Sequence, residues 1–470
     1  MASEGRTVML PAAVAAAAPR EQHEAPAWLP YVALPFFLVL IFSDISEVLI
    51  THLGVPSLLQ LSLFALMVLI WFYRHALRPS RVLLQPLTLA FAAYAAMVFF
   101  STLWADDLSL ADRHVERIVK NLLIYGVVAI LAVGPALRRS IATTVLVAAA
   151  LSTISIAQIA TGNTFHELGG LATVAYGNIY GDSSDARAAG PMGDANFYGQ
   201  VLVMVVPLAV YLAWSSPRRR WRAFWLATAL ALAGGVLVSY SRGAMLALAL
   251  MTALMLAALR VPLTRVAMAT AAAVLLLLVM PGNIGKRFMT FEALVPGEQY
   301  YVAPDSSFEK RKLLTATAAR MFDDNPWLGV GAGNYPAFFP RYSNQVGSEA
   351  VLFYRPGGFE HAHSLYLEIG SEMGLIGLGV FGILLLAAAA QLWGARREPA
   401  TMWLSIAGVS FLVTSLFLHG SSQRYFALLL AFVAALTARA QTGADTSDAA
   451  QDSREPDLDG PAPDDTVGVT

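Results

Sequence analysis

The chain contains no cysteine in its 470 residues. That excludes disulfides, thiolate metal sites and cysteine nucleophiles, and it is compatible with an oxidising compartment. Charge is scarce as well: Asp, Glu, Lys and Arg make up 13% of the sequence, against 57% hydrophobic residues. A soluble protein of this length needs more polar surface, so the composition is that of a polytopic membrane protein. The net charge of −1 supplies no basic footprint for nucleic acid. Residues 1–30 lack the long apolar core of a secretory signal. Their acids, arginines and prolines around an alanine run predict a flexible cytoplasmic tail. Residues 441–470, rich in Asp, Ser, Pro and Gly, are expected to be a disordered cytoplasmic tail. Residues 31–440 would then form one transmembrane domain.

What is present in abundance is apolar helix. About 20 apolar residues cross a bilayer, and twelve candidate spans occur, at 31–50, 57–73, 84–104, 117–134, 140–160, 195–214, 222–239, 243–259, 265–281, 363–393, 401–418 and 424–440. The expected fold class is all-α and polytopic, with about 12 transmembrane helices and a large periplasmic loop, 282–362, between helices 9 and 10. Arginines gather in alternate linkers: Arg74, Arg78 and Arg81; Arg138 and Arg139; Arg218, Arg219, Arg220 and Arg222; Arg260 and Arg265; Arg396 and Arg397. Placing these in the cytoplasm puts both termini inside. The other linkers then face outward: the Glu47–Pro56 turn, the Trp104–Glu116 segment, 161–194, the Tyr240–Gly243 turn, 282–362 and the His419–Tyr425 turn. They hold Arg187, Asp194, Asn196, Arg242, Lys286, Arg287, His361, His363, His419 and Arg424. The polar chemistry therefore converges on one face. No internal repeat relates the two halves, which weakens an inverted-repeat transporter reading.

Among these residues, His361-Ala362-His363-Ser364 stands where the long loop re-enters the membrane, and ionisable groups at such a place mark function. A neutral imidazole can take a proton from an attacking hydroxyl. A His-x-His metal pair with Glu360 or Glu368 is the competing reading, but no second ligand motif completes a set. Arg242, in Ser241-Arg242-Gly243, lies on the side where cations are disfavoured, and Gly243 is expected to give the backbone room at a tight turn. Its guanidinium suits two phosphate oxygens bidentately; snorkelling to the interface is the plainer alternative. Arg187 would bring a second cation to the same surface. Asp194 reads equally as the N-cap of the following helix or as a site residue, and Asn196 accompanies it.

Within the long loop, apolar spacing over Phe308–Phe322 predicts an amphipathic helix that ends before Pro326. The Lys310–Lys312 run reads as its solvated start. Trp327-Leu328-Gly329-Val330-Gly331-Ala332-Gly333-Asn334-Tyr335 has no Gly-Lys-Ser/Thr and is no phosphate loop. Its glycines suit close backbone packing or sugar contact, flanked by Tyr335, Phe338, Phe339 and Tyr342. Gly370, Gly374, Gly377, Gly379 and Gly382 suggest close helix packing.

His363-Ser364, nine residues, Gly374, two residues and Gly377 match the H-[NSQ]-x9-G-x-x-[GTY] pattern. In this the chain resembles the bacterial O-antigen ligases and O-antigen or exopolysaccharide polymerases. Ser241-Arg242-Gly243, the Asp323-Asn325-Pro326 to Gly333-Asn334 segment and the twelve-helix layout with one large late loop extend the likeness over roughly residues 30–440. Many polymerase-like relatives carry Gly-Asp-Pro-Asn where this chain has Gly193-Asp194-Ala195-Asn196, which bears on the subfamily more than on the chemistry.

The resemblance implies a GT-C-like membrane glycosyltransferase, inverting and independent of metal or other cofactor, at the periplasmic face of the bacterial inner membrane. Its donor would be an undecaprenyl-pyrophosphate-linked glycan and its acceptor a glycan or lipid A-core, with a chain-length regulator as a further candidate partner. Arg187 and Arg242 would bind the pyrophosphate and His363 would act on the acceptor; His361, Asp194, Asn196 and Arg424 are candidate substrate contacts. Polymerisation of repeat units is the first expectation, ligation to lipid A-core the second, and transfer to protein hydroxyls the third. A flippase or transporter of lipid-linked oligosaccharide is the alternative of another class. It calls for polar groups through the membrane depth, which this chain concentrates at one face.

Overall fold

The computed structural model describes residues 25–180, 183–262, 264–268, 306–346, 360–420 and 423–452. Its helices are α1 (Leu34–Ser43), α2 (Ile45–Leu53), α3 (Leu58–Phe72), α4 (Arg74–Leu77), α5 (Ser80–Leu83), α6 (Pro86–Phe100), α7 (Leu108–Leu131), α8 (Pro135–Thr161), α9 (Ala195–Trp214), α10 (Arg219–Val238) and α11 (Arg242–Ala258). They continue with α12 (Ser306–Asp324), α13 (Tyr335–Val346), α14 (Leu365–Gly394), α15 (Pro399–Thr414) and α16 (Arg424–Asp452). Five segments are long and apolar enough to cross a bilayer by length and composition: Pro86–Trp104, Pro135–Thr161, Ala195–Trp214, Arg219–Val238 and Leu365–Gly394. Shorter apolar helices cover Leu29–Ser43, Leu58–Phe72, Arg242–Ala258, Pro399–Thr414 and Arg424–Ala438. The chain is a mostly helical, multi-pass membrane protein. Most of the expected 265–281 span, together with Lys286 and Arg287, lies outside the described residues.

The chain is mostly helical, and one small sheet adds to the all-α expectation. The 161–194 linker holds an antiparallel hairpin, β1 (Thr173–Tyr180) and β2 (Ser183–Gly190), with Ala175 opposite Arg187. Ala188 and Ala189 of β2 are fully buried, and the strand packs on α8, α9 and α10. Small side chains let the backbone of this hairpin lie against the helix ends. Its composition therefore resembles a loop's, although its backbone groups pair with each other.

α9 is the most enclosed of the five long segments, packed by α8, α10, α11 and α15. α12 and α13 of the long loop have a small apolar core of their own, with Leu314, Met321, Tyr335, Phe339 and Ala362.

α14 is not one uninterrupted helix. At Gly374, φ is +64° and ψ −161°, and the loop segment after α12 pairs with the break. Leu375 N–H donates to Pro326 O (2.7 Å), Ile376 N–H to Trp327 O (3.3 Å), Val330 N–H to Ser371 O (3.0 Å) and Gly331 N–H to Glu372 O (2.8 Å). A Cβ on Gly374 would sit 2.3 Å from the Trp327 carbonyl carbon, and one on Gly329 2.2 Å from that of Glu372. Gly374 of the histidine motif thus serves a backbone break rather than helix packing. A Cβ on Gly379 or Gly382 would meet nothing within 4 Å, so close packing does not explain those two glycines either. The buried Glu372 carboxylate accepts from Gly333 N–H (2.8 Å) and Tyr335 N–H (3.1 Å). From Leu375 to Gly394 the helix is about 30 Å long at 1.5 Å per residue, one hydrocarbon thickness.

The linkers sort into two groups by contact. Asn334 exchanges hydrogen bonds with the Asp107 backbone (2.7 and 3.2 Å). Ser101 accepts from Ala332 N–H (3.0 Å), and Arg424 reaches Asp44. At the opposite ends of the helices, Arg138 donates to Ser216 (3.4 Å) and Arg139 lies 4.2 Å over the Tyr31 ring. Each group contains only linkers that alternate with those of the other.

Candidate active site

The hairpin delivers Arg187. β2 ends at Gly190, where φ is +55° and a Cβ would meet the Tyr198 ring at 2.5 Å. The chain then turns, and Asp194 caps α9, accepting from the amides of Asn196 (2.7 Å) and Phe197 (3.0 Å). Its hydrogen-bonding role is that of the N-cap. Asn196 Oδ1 accepts from Arg187 Nη2 (3.0 Å), and the Ser239 carbonyl accepts from Nε (3.0 Å). Two neutral oxygens, one from each neighbouring helix end, therefore hold this guanidinium. Burial lowers its pKa to about 10; Asp194 opposes the shift, and Arg311 and Arg242 add to it. The group stays cationic at neutral pH, within electrostatic reach of two other guanidinium groups.

Arg242 opens α11. Ser241 caps that helix by accepting from Ala244 N–H (3.4 Å). The left-handed residue of the tight turn is Tyr240, φ +49°, and not Gly243, which occupies an ordinary first-turn position where a Cβ would make normal contact with Phe417 at 3.5 Å. The expectation that Gly243 frees this turn is corrected accordingly. Arg311 comes from α12. The charged start of that helix is not simply solvated: Lys310 Nζ pairs with Glu360 Oε1 at 2.8 Å, and Arg311 is half-buried.

His363 sits two residues before α14 with a left-handed φ of +49°, a conformation costing a non-glycine residue about 1–3 kcal/mol and typical of functional positions. Leu365 N–H donates to Ser415 O (3.0 Å) and fixes the entry to the helix. His361 stacks on His419 with centroids 4.1 Å apart and planes 10° off parallel. His363 meets the same ring edge-on at 5.4 Å and 86°, and Phe197 does so at 4.9 Å and 79°. Glu368 Oε2 accepts from Gly420 N–H (2.6 Å), holding the His419 turn against α14.

Burial lowers the His363 pKa to about 4, with Arg311 the next contribution and Asp194 opposing. Burial also lowers His361, and brings His419 well below the usual histidine range. All three rings are neutral at physiological pH. Among the described residues, the Nδ1 atoms of His363 and His419 are buried without a hydrogen-bond partner, which leaves each an unfilled hydrogen-bonding position.

Arg187, Arg242 and His363 are thus gathered in one electrostatic neighbourhood with Arg311, Asp194 and His361. Arg424 is differently occupied: its Nη1 and Nη2 donate to the two oxygens of Asp44 at 3.1 and 2.9 Å. Glu360 and Glu368, the candidate third ligands of a metal pair, bind Lys310 and Gly420 instead. Among the described residues, no three His, Asp or Glu side chains gather at metal-binding spacing. Sequence reasoning missed His419 and Arg311. The first lies in the His419–Tyr425 turn without a motif, and the second in a charge run that usually reads as solvated.

Residues 226–382 match a family model described as O-antigen ligase. Over this segment the chain is similar to the O-antigen ligase family. The match runs from within α10 into α14 and includes Arg242, Arg311, His361 and His363, while Arg187 and His419 come from flanking segments. The O-antigen ligase family implies a glycosyltransferase-type enzyme that acts in O-antigen or related glycoconjugate synthesis, on a lipid-linked glycan and an acceptor in a membrane. No curated protein matches the chain.

Proposed function

We propose that the chain transfers a glycan from an undecaprenyl-pyrophosphate-linked donor to a hydroxyl of an acceptor glycan, at the periplasmic face of the inner membrane, and so polymerises O-antigen or exopolysaccharide repeat units. The observation carrying this reading is the gathering of Arg187 and Arg242 with Arg311 beside a neutral His363. The description of the matched family favours a second reading, ligation to lipid A-core. The two share donor and residues and differ in acceptor.

In the reaction, the acceptor oxygen bonds to the anomeric carbon as the bond from that carbon to the pyrophosphate oxygen breaks. The pyrophosphate leaves with the electron pair, and Arg187 and Arg242 stabilise the charge that develops there without ATP. His363 takes the hydroxyl proton. Direct displacement inverts the anomeric centre. An imidazole with a pKa of about 4 is a weak base in the free protein, but a bound pyrophosphate beside it favours the imidazolium and raises that pKa. Donor binding therefore activates the base.

The test is product formation from purified lipid-linked donor and acceptor. His363→Ala abolishes transfer while expression and membrane insertion persist, and a chelator has little effect. Near-normal turnover of His363→Ala would remove it as the base, and loss with chelator restored by one divalent ion would revive the metal reading.

A further inference from the structure

A cleft of about 570 Å³ opens between the Trp104 end of α6, the end of α12 and α13. None of its lining residues belongs to the Arg187–His363 cluster. Its walls carry four aromatic side chains, Trp104, Trp327, Phe338 and Tyr342, and three planar polar ones, Asp324, Asn325 and Arg341. Its volume is that of a small-molecule site, about 300–1,000 Å³. The backbone pairing with the α14 break makes its floor rigid. Trp104 Nε1 donates to Leu328 O (3.1 Å), and Asn325 Nδ2 donates to Met321 O and to the Tyr342 hydroxyl, each at 3.2 Å. Against this fixed frame Trp327 is 66% exposed, a large apolar area open to a ligand.

We propose that this cleft is a saccharide-binding subsite, separate from the reacting centre, that holds a length of the glycan chain. Aromatic faces present flat apolar area with polar edges, which matches the CH face and hydroxyl rim of a pyranose. Planar Asp, Asn and Arg groups suit paired hydroxyls. Among the lining residues the formal charges cancel, Asp324 against Arg341. That favours a hydroxyl-rich ligand, whereas the three gathered guanidinium groups elsewhere favour a phosphate. α12 joins the two places: from Arg311 to Asp324 it advances about 20 Å at 1.5 Å per residue. One oligosaccharide can therefore lie along it with its end at His363. The proposal rests on the glycan-transfer reading for the origin of the sugar, but binding in the cleft is measurable without transfer.

The experiment uses the full chain in lipid nanodiscs, titrated by calorimetry with free oligosaccharides released by mild acid from the surface polysaccharide of the cells that make it. Wild type binds them; Trp327→Ala weakens binding at least tenfold, and Arg341→Ala, at an exposed position, several-fold. Binding is read without any turnover, so failure of the transfer mechanism leaves this result standing. Absence of binding to wild type, or equal binding by both cleft variants, overturns the proposal. So does quenching of Trp327 fluorescence, taken as wild type minus Trp327→Phe, by brominated lipid: that outcome makes the residue an interfacial membrane anchor.

Discussion

Two guanidinium groups in alternating linkers are held in opposite ways. Arg424 faces a carboxylate, with both oxygens of Asp44 at 2.9–3.1 Å and each side chain 25% exposed. Arg187 is held by a carbonyl and an amide oxygen, with Asp194, Arg311 and Arg242 as its electrostatic neighbours. The first pair spends its charge inside the protein and ties the α1–α2 break to the start of α16. The second is hydrogen-bonded by neutral oxygens, the arrangement that the proposed pyrophosphate binding uses. Placement at the same face does not distinguish them in sequence; what each one touches does.

The sharpest test of that difference is turnover. Arg187→Ala should lower transfer by at least about 100-fold, the usual loss when a donor to developing charge is removed. Arg187→Lys should recover only part, because an ammonium lacks the planar fork, whereas Arg424→Lys should stay within a few-fold of wild type. Equal losses at the two positions in a purified transfer assay would break the comparison.

Stability should reverse the order. Asp44→Asn keeps a residue that tolerates the left-handed φ of +53° there, yet removes the charge facing Arg424. Thermal unfolding in detergent should show a loss of about 1–3 kcal/mol with turnover per folded molecule unchanged. Gly374→Ala tests a third kind of role, the backbone break: both its φ and the Trp327 backbone oppose a methyl group. It should cost about 1–3 kcal/mol and expose the Pro326–Gly333 segment to protease. Retained stability would mean that the break is not needed.

The smallest effect concerns pH. Folded His363 titrates at about 4, below the unfolded value of about 6.5, so the unfolded chain binds more protons between those limits. Burial of the neutral ring thus contributes stability fully above about pH 6.5, and that contribution is lost as pH falls toward about 4. In kinetics, the acid limb of kcat/KM reports the free protein and that of kcat the donor-bound state. The kcat limb should lie at the higher pH, because bound pyrophosphate raises the imidazole. Coincident limbs would remove the activation step.

Much of this is legible in residues. Long apolar runs declare the helices, arginine alternation groups the linkers, and Arg187, Arg242 and His363 stand out as polar groups where lipid makes them costly. The amphipathic α12 and its end before Pro326 follow from spacing and proline. The hairpin does not, because its small residues reflect what packs on it rather than an alternating apolar face. Gly374 is visible as a motif glycine, but its reason, backbone from the preceding long loop entering the helix, is a tertiary contact. His419 and Arg311 join the site only through packing of α14 against the His419 turn and α12, which no local pattern encodes.

The central claim is that Arg187 and Arg242 bind the donor's pyrophosphate while His363 serves the acceptor. Binding of undecaprenyl pyrophosphate to the full chain in nanodiscs tests it without any transfer. The Arg187→Lys/Arg242→Lys double variant should lose at least tenfold in affinity, while His363→Ala and Arg424→Lys bind like wild type. Undiminished binding by the double variant, or a loss confined to Arg424→Lys, would contradict the account.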